Sequence, residues 1–434
     1  MRSSGLVLSL LLSLSLVACG ESAEVPDDQT TGPNPTLPSP TISLIPTVKI
    51  APAKAWPEGR KPQPAADLGV VAFAGGLDHP RTLYVLPNGD VLVAETNAPE
   101  RPEQGKGLKG MVVGFVQKRA GAGTPSANRI SLLRDGDGVA EIRTAFLTGL
   151  NSPFGMALIG DTLYVANTDA VVKFPYREGE TAITAPATRV AELPAGPLNH
   201  HWTKGLVASS DGRRLYASVG SNSNIGENGL DQEHWRAAVL EIDLASGQPR
   251  LFASGLRNPV DLAWQPGTQR LWAVVNERDE LGSDLVPDYL TEVKEGGFYG
   301  WPWSYFGRHV DPRVQPPNPE MVAKAIAPDY ALGNHVAPLG LVFAQDRGMP
   351  ARFRSGVFIG EHGSWNRKPR SGYKVVFVPF IDGRPSGQPQ DVLTGFVDPD
   401  GNANGRPVGV AIDRTGALLV ADDVGNTVWR VSPK

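Results

Sequence analysis

The chain has 434 residues, with 41 Lys plus Arg against 45 Asp plus Glu and a formal net charge of -4, which gives no electrostatic reason to expect nucleic acid as a partner. Its 49 glycines and 39 prolines, with few helical periodicities between them, predict turns and short strands. The only cysteine is Cys19, so no intramolecular disulfide can form.

Taken in chain order, Arg2 precedes an apolar run over 6–17 that is too short for a comfortable membrane span, so 1–18 reads as a signal peptide. The run ends in Leu16, Val17, Ala18, Cys19, which resembles the lipobox of bacterial lipoproteins. That resemblance implies export, lipidation at Cys19 and a membrane contact through the lipid alone. Gly20 rather than Asp follows, which in a Gram-negative host points to the outer membrane, facing the periplasm. Residues 19–64 carry prolines at 26, 33, 35, 38, 40, 46, 52, 57, 62 and 64, a density that excludes helix and ladder and reads as a flexible tether.

From 65 to 434 one unit recurs: a lead-in turn, a short strand, a polar Gly turn and a second strand. Six copies lie at 80–95, 153–167, 205–220, 259–276, 338–361 and 407–422, each an apolar-alternating hairpin. A further alternating segment follows each one, at 129–134, 170–174, 238–242, 289–293, 373–380 and 427–431. A single unit cannot bury both its faces, and radial closure removes most exposed edges. The expected fold is therefore all-β, a six-bladed β-propeller of four-stranded antiparallel blades. The last hairpin and 427–431 are expected to close the ring. The longest connections, 98–128 and 300–334, are expected to be loops decorating one face. Asp135, Gly136, Asp137, Gly138 lacks the rest of an EF-hand pattern and reads as an outer turn.

Polar residues gather where the apolar strands end: Glu95, Asn167, Ser221, Asn222, Asn276, Glu277, Glu361, His362, Asp422 and Asp423. Each alone is explained by strand capping, but their recurrence at one end of six strands points to a ring around a central channel. Asn199, His200, His201, Trp202, Thr203, Lys204 lead into the third hairpin. On an extended segment the two histidines would point to opposite sides, leaving one to face the channel as a base. Arg257 and Asn258 precede the fourth hairpin, Arg367 lies in the loop after the fifth, and Arg406 precedes the sixth; three planar forks of donors suit an anion.

The segments GLRNP (255–259), NERDELGSDLVPDYL (276–290), GGFYGWPWSY (296–305), FIGEHGSWNR (358–367) and GRPVGVAIDRTGALLVADDVGN (405–426) resemble the glucose and sorbosone dehydrogenase family, six-bladed propellers that use pyrroloquinoline quinone (PQQ) and calcium. The resemblance implies that His201 is the general base. It implies cofactor contacts from Asn151, His200, Lys204, Arg257, Asn258, His362, Arg367 and Arg406, and calcium near Asn276, Glu277 and Asp279. It further implies oxidation of a sugar, a sorbosone-like sugar aldehyde or a related alcohol, with a respiratory quinone or cytochrome as electron acceptor. His200, Lys204 and Asn151 depart from the family pattern. No strand leads through GxGxxG into a helix, so no nicotinamide site is expected. Two other readings stay open at this stage: a calcium-dependent lactonase or esterase with Glu95, Asn167, Asn276 and Asp422 around the metal, and a propeller that only binds.

Overall fold

A computed structural model of the chain describes residues 21–42, 47–99, 121 and 123–434. The signal peptide, Cys19 and most of the 98–128 connection lie outside the described residues. The rest is a six-bladed β-propeller whose blades are antiparallel sheets. In the first five blades the strand order follows the chain: Pro80–Val85 to Ala140–Leu147, Met156–Ile159 to Thr188–Glu192, Leu206–Ala208 to Pro249–Ser254, Asn258–Trp264 to Tyr330–Asn334, and Pro338–Phe343 to Gln390–Thr394. The sixth has Pro407–Ile412 innermost, then Leu418–Asp422 and Thr427–Pro433. Its outermost strand is Leu68–Ala74, which pairs with Thr427–Pro433 from Leu68 opposite Pro433 to Ala74 opposite Val428. The ring is thus closed by a strand from before the first repeat, joining both ends of the domain in one hydrogen-bonded sheet.

The inner strands explain a recurring glycine. An ideal Cβ on Gly155 would lie 2.4 Å from the Leu206 nitrogen, one on Gly205 2.6 Å from the Val260 carbonyl, one on Gly340 2.6 Å from the Val408 carbonyl and one on Gly409 2.4 Å from the Arg81 carbonyl. Each glycine is where the neighbouring blade's inner strand passes too close for any side chain. Blade four carries Asp261 at this register instead, and its carboxylate accepts the Leu341 N–H of blade five at 3.1 Å. One position earlier, Phe154, Val260, Leu339 and Val408 pack with Trp202 into an apolar cluster on the axis, which plugs the channel below its mouth.

The 300–334 connection is more than a loop. It holds a two-stranded hairpin (Ser304–Tyr305 with His309–Val310), the helix Pro319–Lys324 and the outermost strand of blade four. Asn318 caps that helix by accepting the Met321 N–H. The preceding stretch runs beside the last strand of blade three: the Tyr299 N–H reaches the Ser254 carbonyl at 2.9 Å and the Trp301 N–H the Gly255 carbonyl at 3.0 Å.

The Pro-rich segment is extended, as its prolines require, but it does not stand off as a tether over its described part. Its backbone bonds run from Ala23 to Lys368, Gly32 to Ala331, Thr41 to Leu281, Lys49 to Trp365 and Lys54 to Ala403. Gln63–Pro64 pairs with the outer strand of blade five. Trp56 packs edge-on to Phe396 and Trp429, and its indole donates to Asp422 at 2.7 Å. Proline removes a donor yet leaves its carbonyl, so such a chain can bind a surface through the residues between prolines.

Candidate active site

Every lead-in to an inner strand lies beside the end of its hairpin partner, so the recurring polar residues meet at one end of the channel. Arg257 and Asn258 open blade four, where Asn258 pairs with Asn276. Arg257 is buried and fully engaged: Nη1 donates to the Glu277 carbonyl at 2.5 Å, and Nη2 to Asn224 Oδ1 and Asp279 Oδ2, both at 3.0 Å. Asn366 from blade five donates to the other oxygen of Asp279 at 2.7 Å. Trp301, arriving from the long connection of blade four, donates to the Asn224 carbonyl at 2.9 Å.

His201 is half-buried beside this group, and the ideal Cβ of Gly220 would touch both it and Asn258. Its Nδ1 lies 2.7 Å from the Ser221 carbonyl and 3.1 Å from Ser221 Oγ. A carbonyl can only accept, so Nδ1 carries the proton and Nε2 is the basic nitrogen. His200 is exposed, with its ring centroid 5.2 Å from that of His201. The segment bends at these residues, so the expectation that the two rings point to opposite sides does not hold.

A second cluster spans blades five, six and one. Asp423 Oδ2 accepts from Arg81 Nη1 at 2.6 Å and from His362 Nε2 at 2.9 Å, with His79 Nε2 at 3.4 Å. Burial alone would raise this carboxyl, but His362, His79 and Arg81 outweigh it and hold Asp423 well below the usual carboxylate range. Burial pulls His79 down to about 4 and lowers His362, which keeps both rings neutral at pH 7. Arg406 sits over the Tyr373 ring at 5.5 Å and donates from Nη2 to the Ala51 carbonyl at 2.8 Å.

Other expected residues are used elsewhere. Lys204 is completely buried, its ammonium donating to the Trp202 carbonyl at 3.1 Å, and burial holds it well below the ordinary lysine range. Arg367 donates to the Ser283 and Pro369 carbonyls and to Asp27, which fastens the Pro-rich segment rather than facing the mouth. Asn151 is exposed at the opening of blade two, its carbonyl accepting the Thr168 N–H. Asn276, Glu277 and Asp279 do not gather around one point. Glu277 accepts from Arg278, which is itself held by Asp311, while Asp279 serves Arg257 and Asn366. Among the described residues no group of three or more His, Cys, Asp or Glu side chains could hold a metal.

Nor do the strand-end acids converge as a lactonase would need. Glu95 accepts from Arg129, Ser131 and the Asp78 N–H, and Asp422 from two indoles and two backbone N–H groups. Arg81, His79, Asn224 and Asn366 had no role in the sequence reading. Arg81 had a visible signal, since it occupies the register filled elsewhere by Phe154, Val260, Leu339 and Val408.

Several buried polar atoms at this end have no hydrogen-bond partner: Oδ1 of Asn222, Asn258, Asn276 and Asn366, Nε of Arg81 and Arg406, and Oδ1 of Asp423. Orphans of this kind are scarce in folded proteins; together they form a surface that lacks its polar counterpart. The chain matches the TrAA12-like family over residues 115–292 and 315–434. It belongs to that family. This TrAA12-like chain is 30% identical over 295 residues to an uncharacterised protein of Borreliella burgdorferi, covering 65% of the chain and 76% of that protein. It is 24% identical over 353 residues to a pyrroloquinoline quinone-dependent pyranose dehydrogenase of Coprinopsis cinerea, covering 71% of the chain but only 44% of that protein. Among solved structures, the Trichoderma reesei AA12 enzyme superimposes with a TM-score of 0.70 at 18% identity, covering 89% of this chain and 99% of that one. The holo PQQ domain of the Coprinopsis cinerea pyranose dehydrogenase gives 0.68 at 19% identity, covering 88% and 100%.

Proposed function

We propose that the chain is a PQQ-dependent sugar dehydrogenase, oxidising a sugar, a sorbosone-like sugar aldehyde or a related alcohol, with His201 as general base. The observation that carries this reading is the Nδ1–H bond from His201 to the Ser221 carbonyl. It fixes the ring and its tautomer and makes Nε2 the basic nitrogen, as a proton acceptor requires.

The quinone, when bound, supplies the hydride-accepting carbonyl. The residues present fit such a polar, carboxylate-bearing group through their orphan donors and acceptors. Arg406 and Arg81 would face its carboxylates with the guanidinium nitrogens left unpaired, and Asn258 and Asn366 its remaining polar edge. Arg257 acts indirectly, holding Asp279 and Asn224 and so the loop that follows Asn276. His201 takes the hydroxyl proton as the carbinol carbon is oxidised, while the apolar plug of Phe154, Trp202, Val260, Leu339 and Val408 closes the channel behind the site to water. Of the three residues expected near calcium, Asp279 is held by Arg257 and Asn366, while Asn276 Oδ1 and Glu277 Oε1 have no partner; no step is routed through the metal. Electrons leave to a respiratory quinone or cytochrome, and export with a lipid on Cys19 places the enzyme at a bacterial membrane.

The test is reconstitution of purified protein with PQQ, with and without calcium, followed by dye reduction with aldoses, alcohols and sorbosone. His201→Gln should bind PQQ normally and lose turnover by on the order of 10²- to 10⁴-fold. Wild-type turnover in that variant, or no turnover by the reconstituted native protein on any of these substrates, refutes the reading.

A further inference from the structure

The Pro-rich segment crosses the propeller at the end that carries the site. Ala53, Lys54 and Ala55 line one side of a cleft whose other side is His79, Asp423 and Asn426, so the segment passes beside the cluster that holds Arg81. Backbone bonds fix its course: the Lys49 N–H reaches the Trp365 carbonyl at 2.7 Å, the Ala403 N–H the Pro52 carbonyl at 2.8 Å and the Lys54 N–H the Ala403 carbonyl at 2.9 Å. Arg370 clamps the stretch between them, donating from Nε to the Lys49 carbonyl at 3.0 Å and from Nη2 to the Ile50 carbonyl at 2.6 Å.

Between these fastenings the segment grips Arg406 at both ends. Ala51 is completely buried, and its carbonyl accepts from Nη2 of the guanidinium at 2.8 Å. The Arg406 N–H donates to Asp422 Oδ1 at 2.8 Å, and the other oxygen of that carboxylate accepts the Trp56 indole at 2.7 Å. Room is kept for this indole: an ideal Cβ on Gly425 would lie 2.6 Å from Trp56 Cδ1, and the ring meets Phe396 and Trp429 edge-on, each with centroids 5.6 Å away. Held at its backbone N–H and at one guanidinium nitrogen, the Arg406 side chain has few rotamers left, while its buried Nε stays without a partner. An arginine fixed before its anion arrives loses less freedom on binding it than a free one does.

We propose that residues 49–56 are part of the cofactor site: they position Arg406 and so set the affinity for the carboxylate that it holds. This rests on the reading of Arg406 as a PQQ contact. A segment that merely competed for the guanidinium through the Ala51 carbonyl would act in the opposite direction, and loosening it would tighten binding.

Two variants loosen the segment away from the guanidinium. Arg370→Ala removes both donors to the Lys49 and Ile50 carbonyls, and Trp56→Phe removes the indole N–H but keeps a ring between Phe396 and Trp429. PQQ affinity, read by absorbance titration, should fall about tenfold in each, while kcat at saturating cofactor falls less. In an Arg406→Ala background the same substitutions should leave the affinity nearly unchanged. Native or tighter binding in the single variants overturns the proposal, and so does an equal loss with Arg406 already gone, since that is general loosening. Phenylglyoxal labelling of the cofactor-free protein, followed residue by residue by mass spectrometry, separates the positioning from the PQQ reading. Arg406 should react severalfold faster in both variants than in the native chain, whereas Arg257, held by Asp279 and Asn224, should keep its native rate. If the native protein binds no PQQ, the cofactor reading fails and the labelling decides the positioning alone; equal rates at Arg406 overturn it.

Discussion

Gly220 follows the second strand of blade three, Arg214–Val219, directly behind the proposed base, and Gly220→Ala tests whether the placement of His201 matters. A Cβ there would lie 2.4 Å from His201 Cβ and 2.3 Å from Asn258 Oδ1, where ordinary contacts begin near 3.4 Å. His201 must therefore retreat by about 1 Å, which pulls its Nδ1–H off the Ser221 carbonyl that now accepts it at 2.7 Å. A misplacement of about 1 Å costs on the order of 10²-fold in rate, and overpacking costs about 1–3 kcal/mol of stability. The assay is kcat of the PQQ-reconstituted variant beside its melting temperature. Turnover should fall about 100-fold while the protein still melts cooperatively. Gly69→Ala, whose Cβ would meet nothing nearer than the Ser432 carbonyl at 3.9 Å, should leave the rate unchanged. Adding His201→Gln to Gly220→Ala should cost much less than His201→Gln alone, because both remove the same function. A Gly220→Ala enzyme that turns over like the wild type would refute the role of that geometry.

Arg406→Ala should weaken PQQ binding, read by absorbance titration, more than it lowers kcat at saturating cofactor, because the guanidinium acts by holding an anion. Burial pushes the Glu361 carboxyl up to about 8, so the native state keeps a proton that the unfolded chain releases near its ordinary value of about 4.3. This contribution is fully present below that value and is lost at about 1.4 kcal/mol per pH unit as pH rises towards 8. Glu361→Gln should accordingly raise the melting temperature at pH 8 more than at pH 5, and an equal effect at both pH values contradicts the buried acid. Removing the last twenty residues deletes Leu418–Asp422 and Thr427–Pro433 and leaves Leu68–Ala74 without its partner. Calorimetry should then show no cooperative transition; an unchanged melting temperature would mean that ring closure contributes nothing.

The hairpins, their number and the propeller were legible because every blade must solve the same problem at the same register. Gly155, Gly205, Gly340 and Gly409 recur where inner strands cross, and a repeated steric demand leaves a repeated letter. Asp261 breaks the pattern in a way that the sequence also displays, though its partner, the Leu341 N–H, lies in another blade. The closing strand Leu68–Ala74 was not legible as such. It stands outside the repeat, before the first hairpin, and its partners are more than 350 residues further on.

The site was legible by kind and only partly by residue. Arg257, Arg367 and Arg406 look alike as letters, and each offers the same fork of donors. What separates them is who took those donors: Asp279 and Asn224 took those of Arg257, while the Ser283 carbonyl and Asp27 took those of Arg367. Of these three, only Arg406 keeps Nε unpaired. Such partners come from 22 to 340 residues away, and Asp27 belongs to a stretch whose proline content argued against any fixed structure. Lys204 fails for the opposite reason. It lies in the lead-in that carries His201, yet its long side chain folds back onto the Trp202 carbonyl, and burial then removes the incentive to stay charged. Six of the residues with unpaired polar atoms at this end, Asn222, Asn258, Asn276, Asn366, Arg81 and Arg406, therefore mark the site more sharply than any motif does. A fold that satisfies Glu95 and Asp422 so completely would have no physical reason to leave those six unsatisfied at one end of its channel, unless a polar ligand completes them.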